Sequence, residues 1–113
     1  MGLQEIPAEW RRAVCAALKR NQVQFTHDAH KRWQRSFPGS WRYDLDQALL
    51  DVLSADHAVG CPVTMDTPPG ETWEFFFQLQ RRQAYGKILL RTDRKRVVIF
   101  SAHRPEKPKL RCE

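Results

Sequence analysis

The sequence predicts an α+β domain in which two to three N-terminal helices pack on one face of a C-terminal antiparallel sheet of three to four strands. Three observations carry that reading. Apolar residues recur at helical spacing as far as Leu53, an alternating pattern takes over from Trp73, and a segment containing Gly60, Pro62, Pro68, Pro69 and Gly70 separates the two. With 113 residues, 42% of them hydrophobic and 11% aromatic, the chain has room for one core and not two. The domain is expected to span residues 1–104, leaving 105–113 as a basic, proline-rich, flexible tail.

The elements follow in order. Pro7 opens a first helix whose inner face is Trp10, Val14, Ala17 and Leu18, ending near Arg20. Val23 to Thr26 form a short extended link. Ala29, Trp33 and Phe37 then recur every four residues in a second helix, capped by Thr26 or Asp28 and stopped by Pro38-Gly39. Asp44 caps a third, carrying Leu45, Ala48, Leu49, Val52 and Leu53 inward and acids outward. Residues 54–72 read as a loop with one short strand around Val63 to Met65. Strands at 73–79, 84–91 and 96–101 form a meander, with Leu79 expected opposite Ala84 and Thr92 opposite Lys95.

In that register one sheet face collects Trp73, Phe75, Phe77, Ile88, Leu90, Val97 and Ile99 and must receive the helices. The other collects Glu74, Phe76, Gln78, Tyr85, Lys87, Leu89, Arg91, Arg96, Val98 and Phe100. Rings interleaved with cations suit a nucleic acid, because bases stack on the rings while Lys and Arg hold the phosphates. The plainer alternative is that loop 54–72 or the tail folds over this face as a second small core.

Charge points the same way. Residues 1–40 carry seven Lys or Arg against three acids, residues 41–70 one against five, and residues 71–113 eleven against five, for a net +6. Basic ends that meet in space attract a polyanion, most simply RNA, by steering and counterion release. No apolar run of membrane-spanning length and no signal-peptide pattern occurs, so no membrane role and a cytoplasmic location are expected. Cys15, Cys61 and Cys112 are odd in number, widely spaced and without a Cys-x-x-Cys pair. They are therefore expected to be unpaired bystanders in a reducing compartment, with no disulfide and no zinc site.

Two segments resemble the small ribonuclease toxins of bacterial toxin–antitoxin systems, the RelE and BrnT types of the barnase-like superfamily. Phe25-Thr26-His27-Asp28-Ala29-His30-Lys31-Arg32 is similar to the His-Ala-x-x-Arg helix start of BrnT-like domains, with the family's His falling on Asp28. Ala84 to Arg91 together with Val97 to His103 is similar to their final two strands. The resemblance implies metal-independent RNA cleavage, in which the ribose 2′-hydroxyl attacks the adjacent phosphate, and an acidic antitoxin partner that covers the cationic face.

That reaction needs a base, cations around the phosphate and an acid. His27 sits at a helix start, where backbone N–H groups favour phosphate, and His103 directly follows the last strand. His30 is a weaker candidate. Lys87 and Arg91 lie two strand steps apart, roughly 13 Å, and would track successive phosphates. His27, Lys87, Arg91 and His103 are thus the catalytic candidates, and Phe76, Tyr85, Arg96, Phe100 and Ser101 the RNA-binding ones. Arg91 facing Arg96 is a like-charged pair that an anion would relieve. Glu74 and Tyr85 are secondary candidates for base and orienting hydroxyl. No phosphate loop, nucleophile elbow or His-Glu-x-x-His occurs, and no metal or cofactor is called for. A non-catalytic RNA- or DNA-binding module, or a protein-interaction domain docking through the acidic helix, are the other readings.

Overall fold

The structure is a computed structural model and describes residues 2–65 and 67–113. Along the chain run β1 (Gln4–Glu5), α1 (Ala8–Lys19), β2 (Val23–Phe25), α2 (His27–Ser36), α3 (Arg42–Leu53), β3 (Val59–Val63), β4 (Gly70–Leu79), β5 (Arg82–Arg91) and β6 (Val97–His103). The α+β class holds, and so do three helices followed by a meander. The sheet is larger than expected: its order is β1-β3-β4-β5-β6-β2, antiparallel except for the parallel pair of β2 with β6. Strands of two and three residues are too short to show alternation in sequence. They form because the run β3–β6 leaves unpaired backbone groups at its two edges, where β1 pairs with β3 and the link 23–25 with β6.

Helix starts follow local chemistry. Thr26 caps α2, its hydroxyl accepting from the Ala29 amide at 3.2 Å. Asp44 sits one turn inside α3, where its carboxylate accepts from the Trp41 amide at 2.8 Å, so the capping residue is Trp41 and the helix begins three residues earlier than expected. Arg11 has a structural task. Its guanidinium donates to the Ile6, Leu53 and Ala55 carbonyls at 3.0, 3.1 and 2.7 Å, tying the start of α1 to the exposed carbonyls at the end of α3. Trp10 donates from Nε1 to the Glu71 carbonyl at 2.9 Å and fixes α1 on β4.

One core lies between the helices and the inner sheet face. Trp10, Val14, Leu18, Leu45, Leu49, Leu53, Phe75, Phe77, Ile88, Leu90, Val97 and Ile99 are all buried there, as expected. The β4–β5 connection is a two-residue turn, Gln80 and Arg81, both in the left-handed region at φ 51° and 65°. It pairs Leu79 with Arg82 and Phe77 with Ala84, correcting the expected Leu79–Ala84 pair by two residues. An even slip leaves every side chain on its own face, which is why the face assignments survived the wrong register. The loop strand also moves, from Val63–Met65 to Val59–Val63. Gly60 explains the placement: a Cβ there would collide with the Glu74 carbonyl of the neighbouring strand.

Beyond Lys87 a β-bulge changes the outcome. Ile88 pairs with Ile99 but Lys87 pairs with Ser101, so Phe100 is the extra residue of β6. Simple alternation from Ile99 would have sent Ser101 and His103 to the core face. The bulge instead brings Ser101 opposite Lys87 and His103 opposite Tyr85 on the outer face, and turns Ala102 inward opposite Gly86.

Replacing Phe75, fully buried at the centre of the core, by Ala is expected to lower the unfolding free energy by about 3–5 kcal/mol. Trp41→Ala, at a side chain 78% exposed, should stay within about 0.5 kcal/mol. Urea denaturation followed by circular dichroism reads both.

Candidate functional site

Glu74 on β4, Tyr85 and Lys87 on β5, and Ser101 and His103 on β6 stand side by side on the outer face, across three neighbouring strands. With Phe76 and with Arg32 from α2 they line a cleft of about 270 Å³. The remaining wall is the C-terminal segment, contributing Pro105, Glu106, Lys107, Lys109, Leu110 and Arg111.

Glu74 lies at the floor, 1% exposed. A carboxylate taken out of water needs donors on both oxygens. Tyr85 donates its hydroxyl to Oε2, and the Arg111 backbone amide donates to Oε1 at 3.3 Å. Burial, then the hydrogen bond and charge of Glu74, push the Tyr85 phenol well above its usual range, against the pull of Arg111 and Arg32. His103, 5% exposed, stacks obliquely on the Tyr85 ring at 5.3 Å. Its Nδ1 lies 2.7 Å from the Arg104 carbonyl. A carbonyl only accepts, so Nδ1 carries the proton and Nε2 keeps its lone pair. Burial lowers the His103 pKa below the ordinary histidine value. Arg32 and Lys87 add to that, while the Arg104 carbonyl and Asp28 oppose it.

The segment 104–113 is not a free tail. The Arg104 amide donates to the Ser36 hydroxyl at 3.2 Å, Glu106 pairs with Arg32, Leu110 is buried, and Cys112 is joined to Cys61 by a disulfide across a Cα separation of 5.9 Å. The expectation that all three cysteines are unpaired is corrected for Cys61 and Cys112; Cys15 alone is free, half-buried on α1. The partners stand 51 residues apart and meet only through the fold, so no spacing in the sequence marks them. Leu110, the one large apolar side chain of the segment, is the signal that could have found the strap.

The other expected residues go elsewhere. Phe100 is half-buried beside Lys87, whose Nζ lies 6.0 Å from its ring centre. Arg91 and Arg96 face each other near the β5–β6 turn, in a separate groove with residues 21–24 and Val97. Arg96 is there paired to Asp93, Nε to Oδ2 at 2.8 Å, so a carboxylate relieves the like-charged pair in place of a bound anion. Hydrogen bonds from the Lys95 amide and the Arg96 guanidinium hold Asp93 at about 2. His27 is exposed at the start of α2 and lines neither groove, and His30 packs against the rings of Phe25 and Trp33 at 5.3 and 5.4 Å. Arg32, Lys107, Lys109 and Arg111 are the cleft residues that alternation could not reveal.

His103 is expected to titrate below 6.5 in an NMR pH series; Arg32→Ala should raise that midpoint and Asp28→Asn lower it. The unfolded chain then binds the proton first as the pH falls. Stability from this group is full above about 6.5 and declines as the pH drops from there toward the folded pKa. Glu74→Gln should return the Tyr85 phenol toward the ordinary tyrosine range in an ultraviolet titration. No helix of the described residues is long and apolar enough to cross a membrane. Comparison with protein-family models, with curated proteins and with solved structures finds no match to this chain.

Proposed function

We propose that this protein is a metal-independent endoribonuclease of the toxin type, acting at the Glu74–Tyr85–Lys87–His103 cleft. The observation that carries the reading is the meeting of a neutral, correctly tautomerised imidazole, a buried carboxylate and several cations over three strands, beside aromatic rings that a base could stack on. His103 Nε2 takes the proton of the ribose 2′-hydroxyl as the oxygen attacks the adjacent phosphorus. Lys87 and Arg32 hold the charge that accumulates on the phosphoryl oxygens. The phosphorus–O5′ bond breaks, the Lys87 ammonium gives O5′ a proton, and a 2′,3′-cyclic phosphate remains. Glu74 orients Tyr85, which in turn supports the His103 ring. An acidic protein partner that masks Lys87, Lys107 and Lys109 fits the same surface.

A second reading is favoured by the sealing of Glu74: a surface that binds RNA through Phe76, Lys87 and the strap cations without cleaving it. One experiment separates the two. Labelled single-stranded RNA is incubated with the purified protein in EDTA, beside His103→Ala, Lys87→Ala, Arg91→Ala and His27→Ala. Cyclic-phosphate products are expected, with losses of about 10²-fold or more for His103→Ala and Lys87→Ala. Arg91→Ala and His27→Ala should leave cleavage within a few-fold. The rate should rise with pH through the His103 pKa, below 6.5, because the base works deprotonated. Salt-sensitive retention of RNA with no product would remove the enzyme and leave the binding surface.

A further inference from the structure

Within the cleft, Glu74 is covered. Glu74 has a hydrogen bond on each carboxylate oxygen, and one of the two donors is the backbone of the strap itself. The strap has few other holds. Leu110 is its one buried side chain, Glu106 reaches Arg32, and Arg104 reaches Ser36 at the near end. At the far end the tether is covalent, and its position matters: Cys61 pairs directly with Glu74 across β3 and β4. The disulfide therefore pins the chain immediately beside the carboxylate it covers.

We infer that residues 104–113 are a redox-gated strap, closed over Glu74 while Cys61 and Cys112 are joined and released when a dithiol reductant breaks that bond. The inference rests on the cleft being the working site. Reduction is a two-electron exchange. A thiolate of the dithiol attacks the Cys112 sulfur, because Cys112 is half-exposed whereas Cys61 is 2% exposed, and the Cys61 thiolate leaves and takes a proton. The second thiol of the reductant then displaces Cys112 from the mixed disulfide, yielding a free Cys112 thiol and an oxidised dithiol. With the tether gone, Lys107 and Lys109 repel Lys87 and Arg32 across the cleft, and what opposes lifting is burial of Leu110, the Glu106–Arg32 ion pair and two amide hydrogen bonds, from Arg104 to Ser36 and from Arg111 to Glu74. The latent form belongs to an oxidising environment and the open form to a reducing one.

The test uses the full chain with Cys15→Ser, so that dithiothreitol acts on one pair alone. Oxidised and reduced protein are compared by trypsin cleavage at Lys109–Leu110, by hydrogen exchange at the Arg111 amide, by titration of the Tyr85 phenol and by cleavage of a labelled single-stranded RNA. Reduction should expose the Lys109–Leu110 bond, speed exchange at Arg111, lower the Tyr85 titration and raise the initial rate of RNA cleavage by about tenfold. Cys112→Ser should show the open behaviour without reductant and ignore its addition. If that variant does not fold, the reductant arm at constant far-ultraviolet circular dichroism carries the same comparison. Equal protection of Lys109–Leu110 and Arg111 in both states overturns the gate, as does slower cleavage on reduction. Strap release and a lowered Tyr85 titration with no RNA product in either state uphold the gate and sink the ribonuclease reading instead.

Discussion

A carboxylate buried in the middle of a sheet face is the constraint on which the outer half of this molecule depends. Charge that leaves water costs several kcal/mol unless donors and opposite charge replace the lost hydration. Glu74 is held by a phenol on the neighbouring strand and an amide from a chain segment more than thirty residues away in sequence. Arg32, Lys87 and Arg111 surround the cleft above it. Remove the strap and one oxygen faces open solvent; remove Tyr85 and the other does. The strap is thus part of the solvation of Glu74 as well as a cover, which links the position of ten C-terminal residues to the chemistry beneath them.

The bulge at Phe100 is the second organising feature. A regular β6 would have buried Ser101 and His103 among the helices, where an imidazole has no partner. One extra residue exchanges them for Ala102, which is small enough to face Gly86 beneath the Phe75 and Phe77 rings. A packing requirement on the inner face and a polar cluster on the outer face are met by the same irregularity. Such coupling is typical of bulges near sites, where they re-aim a side chain without breaking the sheet.

Much of the frame was legible. Helical periodicity located Trp10, Trp33 and Leu45 correctly, and strand alternation located Phe75 and Ile88, because both signals report burial on a regular element. The platform residues Phe76, Tyr85 and Lys87 were legible for the same reason. What stayed hidden depends on contacts between distant segments. The Cys61–Cys112 bond, the approach of Arg32, and the folding back of Leu110 are set by where the chain ends meet, and no local pattern encodes that. The sequence shows His103 only as the residue after the last expected strand; the bulge that places it on the face is invisible to a strict period of two. Arg96 was read as half of an anion site because its cross-strand partner is a cation, while the Asp93 that neutralises it lies three residues away in the turn.

The charge distribution acquires a different meaning once the fold is known. Of the basic residues near the N-terminus, Arg11 holds helix ends together and Arg32 reaches the cleft, so proximity in sequence does not make them one surface. The cations that do converge come from α2, from β5 and from the strap, and the strap supplies Lys107, Lys109 and Arg111 of those in the cleft. Glu74 and Glu106 stand among these cations, and a covalent bond holds the last segment to β3. A phosphate chain entering the cleft would supply the missing negative charge. On the proposed reading, affinity of the cleft for a polyanion and lifting of the strap would be two consequences of one electrostatic imbalance.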